Sequence, residues 1–144
     1  MKQDIQGDMV FDTSVLVELF SGSQSGNLVK EALIDGSVRA ITTELNITEL
    51  RYILCRKIGW AKAKESVEHL LNSGYLKVLN IEGFAEHASR IKCDRSLSLV
   101  DSFAIAAGEE LKLDVLFAKR EEELGREARK KAFNIKIVFL EGLR

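Results

Sequence analysis

The sequence MVFDTSVLVEL, residues 9–19, determines how we expect this chain to fold. Three apolar residues run into Asp12, two hydroxyl residues follow, and the next apolar residues have helical spacing. This pattern predicts a short buried strand that turns directly into a helix, with Asp12 at the carboxyl end of the strand. In open α/β sheets, ligands bind at that edge. Asp12 is therefore a candidate functional carboxylate, although an N-cap for the following helix would also explain it.

The rest of the chain alternates short apolar segments with amphipathic ones, which predicts strands connected by helices. The expected strands cover residues 9–11, 38–41, 76–79, 115–117 and 135–140, and the expected helices cover residues 14–20, 27–34, 44–57, 61–72, 82–92 and 121–132, with a further apolar helix after Ser98. The segment SGSQSG, residues 21–26, predicts the most flexible loop. Alternation of this kind predicts a three-layer α/β/α sandwich around a mainly parallel sheet of about five strands. We expect residues 1–8 to be a flexible tail and residues 9–144 to form one domain.

Composition limits the class of protein. The 144 residues include 21 Lys and Arg against 22 Asp and Glu, so any contact with nucleic acid must come from a local basic patch and not from net charge. The two cysteines, Cys55 and Cys93, lack a metal-binding spacing, which favours reduced thiols in a cytoplasmic protein. No apolar run is long enough to span a membrane, so we expect no membrane partner.

Three acidic residues, Asp12, Glu49 and Asp101, lie inside otherwise apolar elements. A buried carboxylate is costly unless it is paired or binds a metal, and Mg²⁺ prefers oxygen ligands. Each acid also has a simpler interpretation. Asp101 follows Ser98 by three residues, as in a helix capping box, and Glu49 could lie on a solvent face near Arg56.

Around these acids the chain resembles the PIN domain family, whose best-known members are VapC-type ribonuclease toxins. The matching segments are VFDTSVL at residues 10–16, TELR at residues 48–51 and LSLVDSFAIAA at residues 97–107, and the similarity extends from Met9 to about Leu140. The resemblance implies a central parallel sheet of strand order 3-2-1-4-5. It also implies that Asp12, Glu49 and Asp101 hold one or two Mg²⁺ or Mn²⁺ ions.

The chain departs from the family at its fourth acidic position, where the family usually has Thr, any residue and Asp after strand four. With Leu124 aligned on the apolar position that follows, Glu121 replaces the Asp and Lys119 replaces the Thr. By the resemblance, Glu121 would be the fourth metal-binding and catalytic residue, and Glu122 would take its place if the alignment shifts by one residue. The alternative is that these glutamates only add favourable negative charge to the first turn of a helix.

Two further sets of residues are candidates for supporting roles. Thr13 and Ser14 could orient Asp12 or a bound water, or could simply cap the first helix, and Asn46 lies one turn before Glu49. The second set is basic, with no acid among its members, and is predicted to bind the phosphates of a nucleic acid: Arg51, Arg56, Lys57, Lys62 and Lys64. Tyr52 and Trp60 lie within it and could stack on a base. The alternative is a solvated hairpin whose aromatic residues pack into the core or a dimer interface, which we favour for Trp60.

The function that these observations and the resemblance indicate is a metal-dependent endoribonuclease that cleaves single-stranded or structured RNA. By the resemblance it would be the toxin of a toxin–antitoxin pair, a homodimer inhibited by a small antitoxin that inserts into the acidic groove. The alternative is a PIN-like domain with weak or lost catalysis that serves as an RNA-processing or protein-binding module.

Overall fold

The computed structural model describes residues 5–141 and contains a five-stranded sheet in which every neighbouring pair of strands is parallel. The strands are β1 (Gly7–Phe11), β2 (Val38–Thr43), β3 (Leu76–Leu79), β4 (Val115–Phe117) and β5 (Ile137–Phe139). Their order, β3-β2-β1-β4-β5, confirms the order expected from the resemblance. The central strand is β1, in which Val10 pairs with Ile41 on one side and with Val115 on the other.

Helices cover both faces of the sheet, which confirms the three-layer sandwich. They are α1 (Thr13–Ser21), α2 (Gln24–Ile34), α3 (Glu44–Ile58), α4 (Trp60–Asn72), α5 (Ala85–Asp94), α6 (Leu99–Leu111) and α7 (Glu122–Lys130). Alternate residues of β1 explain the two layers, because Met9 and Phe11 pack against the first four helices while Val10 packs against the last three. The apolar stretch Ala104–Ala107 is fully buried, as expected for a helix that lies against the sheet.

Side-chain caps mark the start of two helices, α3 and α6. Thr43 accepts a hydrogen bond from the backbone N–H of Asn46 at the start of α3, and Ser98 accepts one from Asp101 at the start of α6. Gly59 ends α3 with φ of +87°, a conformation that favours glycine. These three signals were all visible in the sequence.

The flexible loop predicted for residues 21–26 is wrong. Helix α2 already begins at Gln24. The preceding residue, Ser23, caps the helix because its side chain accepts a hydrogen bond from the backbone N–H of Gly26. Gly26 is buried, and a Cβ there would overlap the backbone carbonyl of Glu18. This glycine therefore allows α2 to approach α1 closely, which composition alone cannot distinguish from flexibility.

Other boundaries differ from expectation by a few residues. The helix predicted for residues 82–92 is a 3₁₀ turn, Glu82–Phe84, followed by α5, and the helix predicted for residues 121–132 is the shorter α7. Of the expected tail, residues 1–4 lie outside the described residues, whereas Ile5 is buried and Gly7 already belongs to β1. Residues 142–144 of the expected domain also lie outside them. Within residues 5–141, no helix is long and apolar enough to cross a membrane.

The contact between α6 and β4 provides a test of this packing. A Cβ on Gly108 would overlap the Val115 side chain and lie 2.9 Å from the Leu113 carbonyl oxygen. Overpacking of this kind costs about 1–3 kcal/mol, which exceeds the roughly 1 kcal/mol that alanine gains over glycine in a helix. We therefore expect Gly108→Ala to lower the free energy of unfolding, measured by urea denaturation. Gly125→Ala is the control, because its nearest atom lies 3.4 Å away at the end of the flexible Arg129 side chain. Equal stability of the two variants would contradict the close packing.

Candidate functional site

Asp12 lies at the carboxyl edge of the sheet, immediately after β1. Its backbone N–H donates to the carbonyl of Leu116 at 2.9 Å, which fixes it beside β4. Its Oδ2 accepts a hydrogen bond from the backbone N–H of Ser14 at 3.0 Å, so Asp12 is indeed the N-cap of α1. Its Oδ1 is buried and, among the described residues, has no hydrogen-bond partner. The capping role therefore explains one carboxylate oxygen and leaves the other available for a ligand.

Glu49 is on α3, half-buried, and its charge acts on the other acids. Burial is the main cause that raises the pKa of Asp12 to about 6, hydrogen bonds from Ser14 oppose it, and the Glu49 charge raises it further. The Tyr52 hydroxyl donates to Glu49 Oε2 over 3.4 Å, a long distance for a hydrogen bond. Arg56 packs over the Tyr52 ring at 4.9 Å and forms no described ion pair with Glu49.

Asp101 lies in the first turn of α6 and is the most perturbed of the acids. Burial raises its pKa to about 8, with further contributions from the negative charges of Asp12, Glu121 and Glu49. The hydrogen bond from Ser98 has the opposite effect but is outweighed. The structure thus brings the four acids close enough for their charges to interact. No ion pair within residues 5–141 involves any of them.

Glu121 and Glu122 make different contacts in the structure. Glu121 is the residue just before α7, is exposed, and makes no side-chain capping hydrogen bond. Glu122 Oε1 instead accepts a hydrogen bond from Arg126 at 3.0 Å, one turn along the same helix. Only Glu121 contributes to the raised pKa of Asp101. Of the two registers considered for the fourth acid, this geometry favours Glu121.

A hard divalent cation suits this set of donors, because every candidate donor is a carboxylate oxygen and one of them is a buried oxygen without a partner. In residues 5–141, however, no three His, Cys, Asp or Glu side chains are already arranged as a metal-binding group. Binding of a cation would therefore require rotation of side chains, for which Glu49 and Glu121 have the freedom of long, incompletely buried chains.

A buried polar network holds the helices beneath these acids. Asn46 Nδ2 donates to Thr13 Oγ1 at 2.9 Å, and Thr43 Oγ1 donates to Asn46 Oδ1 at 2.7 Å. The network joins the start of α1 to the start of α3, so the amide of Asn46 bonds to hydroxyl groups and not to a carboxylate. Ser14 Oγ accepts a hydrogen bond from the backbone N–H of Ala118 at 3.0 Å, which ties α1 to the segment that leads to Glu121. Thr43, which takes part in this network, was not among the site residues predicted from the sequence.

The basic residues lie on the hairpin of α3 and α4. Arg51 is half-buried and the other four are exposed, and none belongs to an ion pair within residues 5–141: Arg51, Arg56, Lys57, Lys62 and Lys64. Trp60 is 58% exposed and Tyr52 is 43% exposed. Trp60 therefore does not pack into the core, because the apolar face of α4 that enters the core carries Ala63 and Val67 instead. Its place in a dimer interface stays a prediction.

Comparison with solved structures shows the same fold in several bacterial proteins. VapC20 from Mycobacterium tuberculosis, described as a sarcin-ricin loop cleaving toxin, is 17% identical with a TM-score of 0.65, over 83% of this chain and 94% of that one. DNA-bound VapBC from Salmonella typhimurium is 14% identical with a TM-score of 0.67, over 94% and 98% of the two chains. A toxin–antitoxin complex from Klebsiella pneumoniae is 19% identical with a TM-score of 0.57, over 77% and 86%. At these identities the likeness establishes the fold alone.

Sequence comparison supplies the family. Curated proteins give no match. The family model described as PIN domain matches residues 9–130, which include Asp12, Glu49, Asp101 and Glu121. Because this match covers most of the chain and the sheet has the expected strand order, the protein belongs to the PIN domain family.

Proposed function

We propose that this chain is a metal-dependent endoribonuclease whose acidic residues, Asp12, Glu49, Asp101 and Glu121, hold Mg²⁺ or Mn²⁺. The observation that carries the proposal is the buried, unpartnered Oδ1 of Asp12, in a site where three further carboxylates have no cationic partner among the described residues. Burial of unpaired charges is expensive, and a bound cation removes that cost. Membership of the PIN family and the RNA-cleaving description of VapC20 support RNA as the substrate.

When bound, a divalent ion supplies Lewis-acid stabilisation of the charge that develops on the phosphate during hydrolysis. The chain positions the groups that would hold it. Ser14 fixes Asp12 through its backbone N–H and fixes the segment after β4 through its hydroxyl. The network of Thr13, Thr43 and Asn46 holds the helix of Glu49 against the helix that Asp12 caps.

The raised pKa of Asp101 determines its protonation state before a metal binds. With a pKa raised to about 8, Asp101 retains its proton at neutral pH in the metal-free protein, and binding of a cation would release it. The basic hairpin would hold the phosphates of the RNA beside the acids, because phosphate contacts need cations that are free of protein carboxylates. None of its five basic residues forms an ion pair with a carboxylate in the part of the chain that the structure describes.

A second candidate function is an RNA-processing or protein-binding module with weak or lost catalysis. Two observations favour it: Lys119 and Glu121 replace the family's usual residues, and the described acids do not form a preassembled metal-binding group.

The inferred partners follow the family and the structural neighbours. The neighbours include toxin–antitoxin complexes, so we infer that this chain is the toxin of such a pair and is inhibited by a small antitoxin. We also infer a homodimer and, from the free cysteines and the absence of an apolar run of membrane-spanning length, a cytoplasmic location.

Cleavage of RNA tests the function directly. The protein, freed of any co-purified inhibitor, is incubated with a mixed single-stranded RNA pool and Mg²⁺, Mn²⁺ or EDTA. We expect cleavage with metal, none with EDTA, and a loss of more than about 100-fold in Asp12→Asn and Asp101→Asn, because even residues that only support a metal ligand cost 10–100-fold.

The matched control is Asp114→Asn. Asp114 lies just before β4, at the opposite edge of the sheet, where its Oδ1 accepts a hydrogen bond from Lys136 that an amide oxygen can also accept. This variant should cleave like the wild type. Failure of folded wild-type protein to cut with either metal would reject the nuclease in favour of the binding module.

Substitution of the glutamates tests the fourth acid. Glu121→Gln should weaken Mn²⁺ affinity and cleavage about tenfold or more, because it removes a charged ligand. Glu122→Gln should change both by less than about twofold, since Glu122 is paired with Arg126. Isothermal titration with Mn²⁺ and initial cleavage rates measure the two effects. Equal effects of the two variants would show that Glu121 is not the fourth metal-binding residue.

The stability of the metal-free protein should fall as pH rises. Asp12 and Asp101 have folded-state pKa values of about 6 and about 8, above the usual value of 3.8. Between about pH 4 and pH 8 these two carboxyl groups therefore bind more protons in the folded protein than in the unfolded chain, so their contribution to the free energy of unfolding decreases with pH. We expect Asp101→Asn to be more stable than wild type at pH 8 in EDTA and to lose part of this slope, measured by urea denaturation. Mn²⁺ should raise the stability of the wild type more than that of the variant. An identical slope in both would contradict the raised pKa of Asp101.

A further inference from the structure

The hairpin of α3 and α4 carries an unusual combination of exposed side chains. Residues 51–64 contain five basic residues, no acid and two aromatic residues that remain largely in solvent. Exposed aromatic rings beside unpaired cations are typical of surfaces that bind single-stranded nucleic acid, where bases stack on the rings and cations hold the backbone.

Of the two exposed rings, Tyr52 is the one with a described contact to the acidic site. It lies three residues after Glu49, on the same face of α3, and its hydroxyl is 3.4 Å from Glu49 Oε2. The ring therefore lies beside the carboxylate of Glu49, one of the residues proposed to hold the metal. A group that rests on this ring would be a close neighbour of a phosphate bound at that metal.

Arg56 supports the ring from one turn further along α3. Its guanidinium carbon lies 4.9 Å from the centre of the Tyr52 ring, within the range of a cation–π contact. The contact orders the ring, yet Tyr52 remains 43% exposed. Arg56 belongs to no described ion pair, so its charge also remains available to a phosphate.

The local charges indicate which part of a nucleotide fits here. A phosphate directly on Tyr52 would be repelled by Glu49, whereas a nucleobase is uncharged and gains from stacking on an aromatic ring. The phosphate belongs one turn away, where Arg56 and Lys57 lie. A base can reach such a ring only when it is unpaired and unstacked from its neighbours.

We propose that Tyr52, with Arg56 packed against it, is a stacking platform for one unpaired nucleobase next to the scissile phosphate. The platform directs the enzyme to single-stranded RNA or to loops and selects against continuous duplex. Because every base has an aromatic face, it favours unpaired bases with little preference among the four. This inference rests on the proposed ribonuclease function.

The test separates stacking from hydrogen bonding. Binding of a fluorescein-labelled single-stranded 12-nucleotide RNA is measured by fluorescence anisotropy with the full chain in EDTA, which prevents cleavage. We expect Tyr52→Leu to bind about 10- to 100-fold more weakly than wild type. Tyr52→Phe should bind within about twofold of wild type, because it loses only the hydroxyl contact to Glu49.

Tyr75→Leu is the matched control. It is the chain's other tyrosine, is 47% exposed, and lies just before β3 at the opposite edge of the sheet, where it lines an apolar groove with Phe20 and Ile34. It should bind RNA like wild type. A blunt duplex of the same length should bind wild type and Tyr52→Leu equally, and circular dichroism checks that each variant is folded.

The outcomes are distinct. If Tyr52→Leu binds the single strand as tightly as wild type, the stacking platform is contradicted. The ribonuclease function would still stand if the wild-type protein cleaves RNA. An equal loss in Tyr52→Phe and Tyr52→Leu would also overturn it, because the hydroxyl and not the ring would then matter. Wild-type protein that binds the single strand through Tyr52 but cuts no RNA with Mn²⁺ would support the platform and reject the nuclease.

Discussion

The rest of the site depends on the burial of the Asp12 carboxylate at the end of the central strand. β1 lies between β2 and β4, so the residue that follows it has packed structure on both sides. The backbone of Asp12 bonds to β4, and Ser14 bonds both to Asp12 and to the segment after β4. The position of the carboxylate is thus set by the sheet and not by a mobile loop, and its Oδ1 is buried without a hydrogen-bond partner among the described residues.

The other acids come from distant parts of the chain, and helix starts bring them to the same edge. Thr43 begins α3 and Ser98 begins α6, so each cap fixes the direction in which an acid approaches Asp12. The partial positive charge at a helix N-terminus stabilises an acid such as Asp101, by about 0.3–1 kcal/mol near a surface. Its pKa is nevertheless raised to about 8, so burial and the neighbouring negative charges outweigh the helix and the bond from Ser98.

Local patterns made the architecture largely predictable. Two strands, β3 and β4, have the predicted bounds, and Thr43, Gly59 and Ser98 mark helix ends through their own side chains or lack of one. Features set by contacts between distant residues were not predictable. Gly26 was interpreted as a sign of a loop because its contact with Glu18 belongs to the packed helices. Trp60 was expected in the core or a dimer interface, because sequence does not reveal which face of α4 packs into the core.

For the acidic residues too, the sequence predicts their positions in the chain but not the contacts that they make in the folded protein. The motifs locate Asp12, Glu49 and Asp101 in the chain. The burial that chiefly raises the pKa values of Asp12 and Asp101, and the repulsion that adds to it, arise only in the folded protein. Glu121 and Glu122 are the same residue type, and two features of the folded protein distinguish them. Glu122 pairs with Arg126, and Glu121 helps to raise the pKa of Asp101.

The choice of carboxylates over amides is the strongest sign that these residues serve more than the fold. An asparagine at position 12 would cap α1 about as well as aspartate, since both accept a hydrogen bond from the first turn and neither needs a charge to do so. Asn46 shows that this protein already uses an amide where a buried bond to hydroxyl groups is all that is required. At Asp12 and Asp101 a carboxyl group instead lowers the stability of the metal-free fold at neutral pH, because burial and repulsion oppose the ionisation that the unfolded chain allows. The cation site that we propose would offset this cost, because a bound cation removes the repulsion between the acids.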